Sequence, residues 1–214
     1  LKTMIGQRGR TEPILVVGLG NRSMTPDALG PRTVSKLMIT RHLIEYIPKQ
    51  VDERVNSVCA ITPGVLGITG IESVDIVESI CKKINPGLVI AIDSLAAYKA
   101  DRISDTVQIS NTGISPGAGI GNMRRGINQE TVGAPVIAVG IPMVVHATSI
   151  IEEATKNLTN KALVDSEVNE EIKELIVTPK EIDVIMEDCA KILADGLNLA
   201  LHNDITLDQV KDFM

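Results

Sequence analysis

The stretch Leu88-Val89-Ile90-Ala91-Ile92-Asp93 decides how the rest of the chain is read. Its apolar run leaves no polar face, so it predicts a strand buried on both sides, as in a parallel sheet covered by helices. Asp93 falls at the carboxyl tip of that strand. Just upstream, Asn85-Pro86-Gly87 stops a helix predicted over 71–84, whose Val74, Val77, Ile80, Cys81 and Ile84 share one face. Before that helix, residues 55–62 predict a second strand ending at Pro63-Gly64. Earlier still, Pro13-Ile14-Leu15-Val16-Val17-Gly18 predicts a buried strand opening into a tight loop at Gly18-Leu19-Gly20. In Thr25-Pro26-Asp27, Thr25 reads as an N-cap, Pro26 as the first helical residue and Asp27 as a charge at the helix's positive end. That helix is predicted over about 28–43, with Leu29, Val34, Leu37 and Met38 facing inward.

Downstream, residues 106–110 alternate polar and apolar, as an edge strand does. Residues 111–125 form a glycine-rich loop, 135–142 another buried strand and 143–153 a helix. Residues 157–178 are charged, with few core candidates, and read as an insertion or lid. After Pro179, residues 181–201 form an amphipathic helix presenting Ile182, Ile185, Met186, Cys189, Ile192, Leu193 and Leu197. Strands alternating with helices define an α/β three-layer sandwich with a mostly parallel central sheet.

Composition narrows the function. A chain of 214 residues is expected to form a single domain, at roughly 100–200 residues per domain. Twenty-seven acidic against 21 basic residues give a net charge of −6, which argues against a nucleic-acid partner. Tyr46, Tyr98 and Phe213 are the only aromatic side chains, too few for a base-stacking platform. No apolar run is long enough to span a membrane, and residues 1–12 carry no signal-peptide core. Cys59, Cys81 and Cys189 have neither metal-knuckle nor redox spacing; Cys59 and Cys81 read as buried small hydrophobes, and a reducing cytoplasm suits all three. The chain opens at Leu1, as a fragment or processed form would.

In open α/β sheets ligands sit beyond the carboxyl ends of the strands. Asp27, after the first strand, and Asp93, at the central one, both fall there. Two adjacent carboxylates cannot both ionise cheaply, so one keeps a proton, and the pair can act as general base and general acid on a water attacking a carbonyl. Alternatively they hold a divalent metal that activates the water. Gly18 and Gly20 make a poor dinucleotide fingerprint, because Ser23 takes the place of its third glycine; they read instead as letting the backbone approach a substrate, with Asn21 beside them. The loop Ser115-Pro116-Gly117-Ala118-Gly119-Ile120-Gly121 lacks the Gly-Lys-Ser/Thr of a P-loop and reads as a surface loop or a substrate-binding one, with Gly117 and Gly119 at its centre. Arg124 and Arg125 are either solvated or aimed at an acidic substrate. His42 and His202 sit at predicted helix ends, where a cation is favoured. Of the histidines, His146 is the one expected near the carboxylates. No Gly-x-Ser-x-Gly elbow is present.

The segments Val16-Val-Gly-Leu-Gly-Asn21, Thr25-Pro-Asp-Ala-Leu-Gly-Pro31, Thr40-Arg-His-Leu43, Pro63-Gly-Val-Leu-Gly-Ile-Thr-Gly70, Val89-Ile-Ala-Ile-Asp-Ser-Leu-Ala-Ala97 and Val177-Thr-Pro-Lys-Glu-Ile-Asp183 resemble the germination protease family of spore-forming bacteria. The resemblance runs in order from about Pro13 to the C-terminus. It implies an endopeptidase that degrades small acid-soluble spore proteins during germination, made as a zymogen, assembled as a homotetramer, and working in the cytoplasm of the spore core without a cofactor. It implies a fold like that of the hydrogenase-maturation peptidases (phosphorylase/hydrolase-like), and a catalytic aspartate pair matching Asp27 and Asp93. Nothing in the chain matches the family's N-terminal region with its pro-segment. The family pattern also carries His at Ser115, Asp at Asn111, and Thr and Asp at Met143 and His146. A serine does not replace an imidazole ligand, so a metal is not expected here. Metal-dependent hydrolysis of the maturation type and a non-catalytic peptide-binding relative are the alternatives.

Overall fold

The computed structural model describes residues 1–6, 9, 12–117, 125–155 and 170–213. Among the described residues six strands form one sheet: β1 (Ile14–Gly18), β2 (Val58–Ile61), β3 (Leu88–Ala97), β4 (Gln108–Ser110), β5 (Val136–His146) and β6 (Ile176–Val177). Their order is β2-β1-β3-β5-β4, with β6 paired to the far end of β5. The pairs β2–β1, β1–β3 and β3–β5 are parallel; β4 and β6 run antiparallel to β5.

The strands alternate between two cores. Ile14, Val16, Ile90, Ile92, Val139 and Ile141 face α2 (Leu29–Val34) and the long helix near the C-terminus (Ile182–Leu201). Leu15, Val17, Val89 and Ala91 face α5 (Ser73–Ile84) and α6 (Gln129–Val132). Helices on both faces of a mostly parallel sheet make the expected three-layer sandwich. Two glycines bring β1 and α2 into backbone contact. A Cβ on Gly18 would lie 2.5 Å from the Gly30 carbonyl oxygen, and one on Gly30 would lie 2.4 Å from that of Leu19.

Five predicted elements differ. The helix expected over 28–43 divides into α2 and α3 (Arg41–Tyr46). Tertiary hydrogen bonds replace helical ones between them: Met38 N donates to Asn198 Oδ1 (2.9 Å), Asn198 Nδ2 to Lys36 O (3.1 Å) and Thr40 N to Val58 O (3.0 Å). Strand β3 continues to Ala97, so Asp93 is inside it and not at its tip. β5 continues to His146, so residues 143–146 are strand, and the helix begins only at Ala147 (Ala147–Thr155). On the long helix, Ile192 points outward at 63% exposure, while Met186, Leu193 and Leu197 are buried. Of the charged segment, 157–169 lie outside the described residues; Ile176–Val177, near its end, form β6.

Candidate active site

β1 pairs with β3 only as far as Gly18 opposite Ile92. Leu19 N still donates to Ile92 O (2.8 Å), then the chain turns away at Gly20, whose φ of +107° suits glycine. A Cβ there would sit 2.0 Å from the Asp27 carbonyl oxygen, so the missing side chain lets Asp27 fold back against the turn. Residues Thr25–Asp27 form a single 3-10 turn with Pro26 near its start. Asp27 does not serve a long helix: its Oδ2 accepts the Asn21 backbone N–H at 2.7 Å. Thr25 Oγ1 donates to Asp183 Oδ1 (2.9 Å), tying the turn to the long helix.

Asp93 lies in β3, one residue past the last β1 pair and 6% exposed. Its Oδ1 accepts the Ser94 N–H at 2.9 Å. Burial, reinforced by the negative charge of Asp27, raises its pKa to about 8 against that hydrogen bond. Asp93 is therefore a protonated acid at neutral pH.

Both aspartates line one cavity of about 780 Å³. Gly20, Asn21 and Gly117 line it too; Gly119 and Arg124 lie outside the described residues. Met24, Val65, Leu95, Pro116 and Val144 give it apolar walls. Ile176 and Thr178, from the end of the charged segment, complete it, and Thr178 Oγ1 donates to Met143 O at 3.0 Å. No periodicity marked these last two residues, because strand β6 spans only two positions; Thr178 falls in the family-like segment Val177–Asp183, and Ile176 carried no signal.

The other singled-out groups are elsewhere. Arg125 pairs with Asp75 at 2.8 Å and with Glu78 at 3.7 Å. His146 ends β5 but does not line the cavity. His42 is exposed. His202 is no helix-end cation: it is fully buried, its Nδ1 accepts Asn56 N–H at 3.2 Å, and burial lowers its pKa to about 4. Cys81 and Cys189 are buried and Cys59 half-buried; all three are free thiols whose pKa burial pushes up, Cys81 to about 11, which disfavours a thiolate nucleophile. Among the described residues no three His, Cys, Asp or Glu side chains converge as a metal site would need. Ser115 lines the cavity with the two aspartates.

In fold, the chain is similar to the [NiFe] hydrogenase maturation protease HycI from Thermococcus kodakarensis KOD1, with a TM-score of 0.50 and 14% identity over 94% of this chain and 97% of that one. At that identity the likeness concerns architecture alone. In sequence, the family model described as germination protease matches residues 2–170 and 159–214. The germination protease of Clostridium perfringens is 46% identical over 94% of this chain and 69% of its own length. That of Caldanaerobacter subterraneus subsp. tengcongensis is 42% identical over 98% and 72%. That of Priestia megaterium is 42% identical over 89% and 66%. The chain belongs to the germination protease family, a family of endopeptidases. Among the described residues no helix is long and apolar enough to cross a membrane.

Proposed function

We propose that this chain hydrolyses small acid-soluble spore proteins during germination, with Asp27 and Asp93 activating the attacking water. The observation that supports this most is a half-buried carboxylate and a buried one sharing a single cavity. Asp93 carries the proton at neutral pH, so the charge of the pair rests on Asp27. Asp27 takes a proton from water as the water oxygen bonds to the peptide carbonyl carbon. Asp93 donates its proton to the carbonyl oxygen as the C=O π bond opens. When the tetrahedral intermediate collapses, the C–N bond breaks, Asp27 passes its proton to the departing amine and Asp93 recovers its own. One water is consumed, and the pair ends as it began. Gly20, Asn21, Gly117 and Gly119 are assigned to substrate contact, and residues 157–178 are read as an insertion. Zymogen processing, a homotetramer and work in the cytoplasm of the spore core belong to the same reading.

Asp27→Asn and Asp93→Asn are each expected to lower cleavage of a purified small acid-soluble spore protein by roughly 10²-fold or more, with an unchanged circular dichroism spectrum. Near-normal turnover in either variant rejects the assignment.

A further inference from the structure

β3 outruns its neighbour. Its pairing with β1 stops at Ile92, while its pairing with β5 continues through Ala97. Among the described residues, β3 therefore has a ladder partner on one side only from Asp93 onward. Backbone groups of a strand within a parallel sheet alternate between neighbours, and Ile92 O faces β1, as its bond from Leu19 N shows. Ser94 and Ala96 face the same way, toward the space that β1 leaves when it turns at Gly20. Both line the cavity. The Ser94 N–H is taken by Asp93 Oδ1, which leaves the Ser94 carbonyl and the Ala96 N–H and carbonyl facing this opening. Ser94 Oγ is buried there without a hydrogen-bond partner among the described residues. Backbone polar groups in such a setting call for partners.

We infer that the substrate docks as an added strand on the β1-side edge of β3 over residues 93–97, in line with β1. This rests on the proposed peptidase function and supplies its recognition mode. An exposed strand edge recognises an extended main chain, with affinity from backbone hydrogen bonds and only loose demands on side chains. The open edge spans roughly 15 Å at about 3.3 Å per residue, enough for four or five substrate residues. The apolar walls formed by Leu95 and Val144 suit aliphatic side chains on that segment. Asp93 stands at the start of the edge, so a peptide bond of the docked strand lies beside the carboxylate pair. A surface pocket that reads side chains alone would need no such run of unpaired backbone.

The test is N-methyl scanning. Overlapping synthetic peptides spanning a small acid-soluble spore protein are screened for binding to the Asp93→Asn protein, and the tightest is resynthesised with single backbone N-methyl groups along its length. An added strand predicts losses with a period of two: about tenfold or more at alternate positions and less than about threefold between them, both in affinity for the Asp93→Asn protein and in kcat/KM with the unsubstituted one. Uniform or aperiodic losses, or no peptide binding at all, overturn the inference. Periodic losses in affinity together with no cleavage by the unsubstituted protein would leave the docking edge standing and overturn the peptidase reading instead.

Discussion

Asp93 shows how much one position can carry. The apolar run before it places it in the central strand, and its position toward the carboxyl ends of the strands makes it a candidate beside Asp27. What its neighbours in sequence do not reveal is that β3 goes on: Ser94-Leu95-Ala96-Ala97 has no strong strand pattern, and the extension is imposed by pairing with β5. Burial inside the strand is what holds the proton on Asp93 up to about pH 8. The proposed chemistry needs that proton, so kcat/KM for spore-protein cleavage is expected to fall as pH rises through about 8, by up to tenfold per pH unit beyond it. A pH–rate profile flat from 7 to 9, roughly one unit either side of that value, would contradict this. Asp27 was legible as a residue beyond the carboxyl end of the first strand but not in its role within the turn. Its carboxylate engages Asn21 rather than helix amides, a contact that depends on Gly20 lacking a side chain.

Among the elements, β1, β5, the first half of β3 and the two longest helices could be read from their apolar patterns, because each buries apolar side chains; β6, two exposed residues long, could not. The predicted helix over 28–43 could not be resolved into its two parts, because what divides it comes from Asn198, far away in sequence. Asn198 is 1% exposed and serves two backbone groups, Met38 N–H and Lys36 O, at once. Asn198→Ala leaves the buried Met38 N–H and the half-buried Lys36 carbonyl without this partner, at about 1–3 kcal/mol for an unsatisfied buried group and less for the half-buried one. Urea unfolding is expected to show a loss of roughly 2–4 kcal/mol. A loss below about 0.5 kcal/mol would mean that the segment 35–40 holds its shape without this residue.

At the scale of the molecule, two buried groups of opposite type set the pH response. Asp93 has a folded pKa of about 8 against 3.8 unfolded, so the folded state binds more protons between these values and stability falls as pH rises from about 4 to 8. His202 has a folded pKa of about 4 against 6.5, so the unfolded state binds more protons there and stability rises from about pH 4 to 6.5. The two slopes oppose each other up to 6.5; above it only that of Asp93 remains. Asp93→Asn removes one slope. The melting temperature of the variant, relative to that of the unsubstituted protein, is expected to climb steadily from pH 4 to 8. A constant difference across that range would show that Asp93 titrates alike folded and unfolded. Neither group's burial could be read from sequence: His202 looks like a helix-end cation until the packing of Asn56 against it is known.

The coupling of the two aspartates is tested most directly by titrating the Asp93 side-chain carboxyl carbon by NMR, in the unsubstituted protein and in Asp27→Asn. The expected result is a midpoint near 8 that moves down when the Asp27 charge is removed. A midpoint near the ordinary 3.8, or one indifferent to Asp27, would mean that the two side chains do not act as a pair.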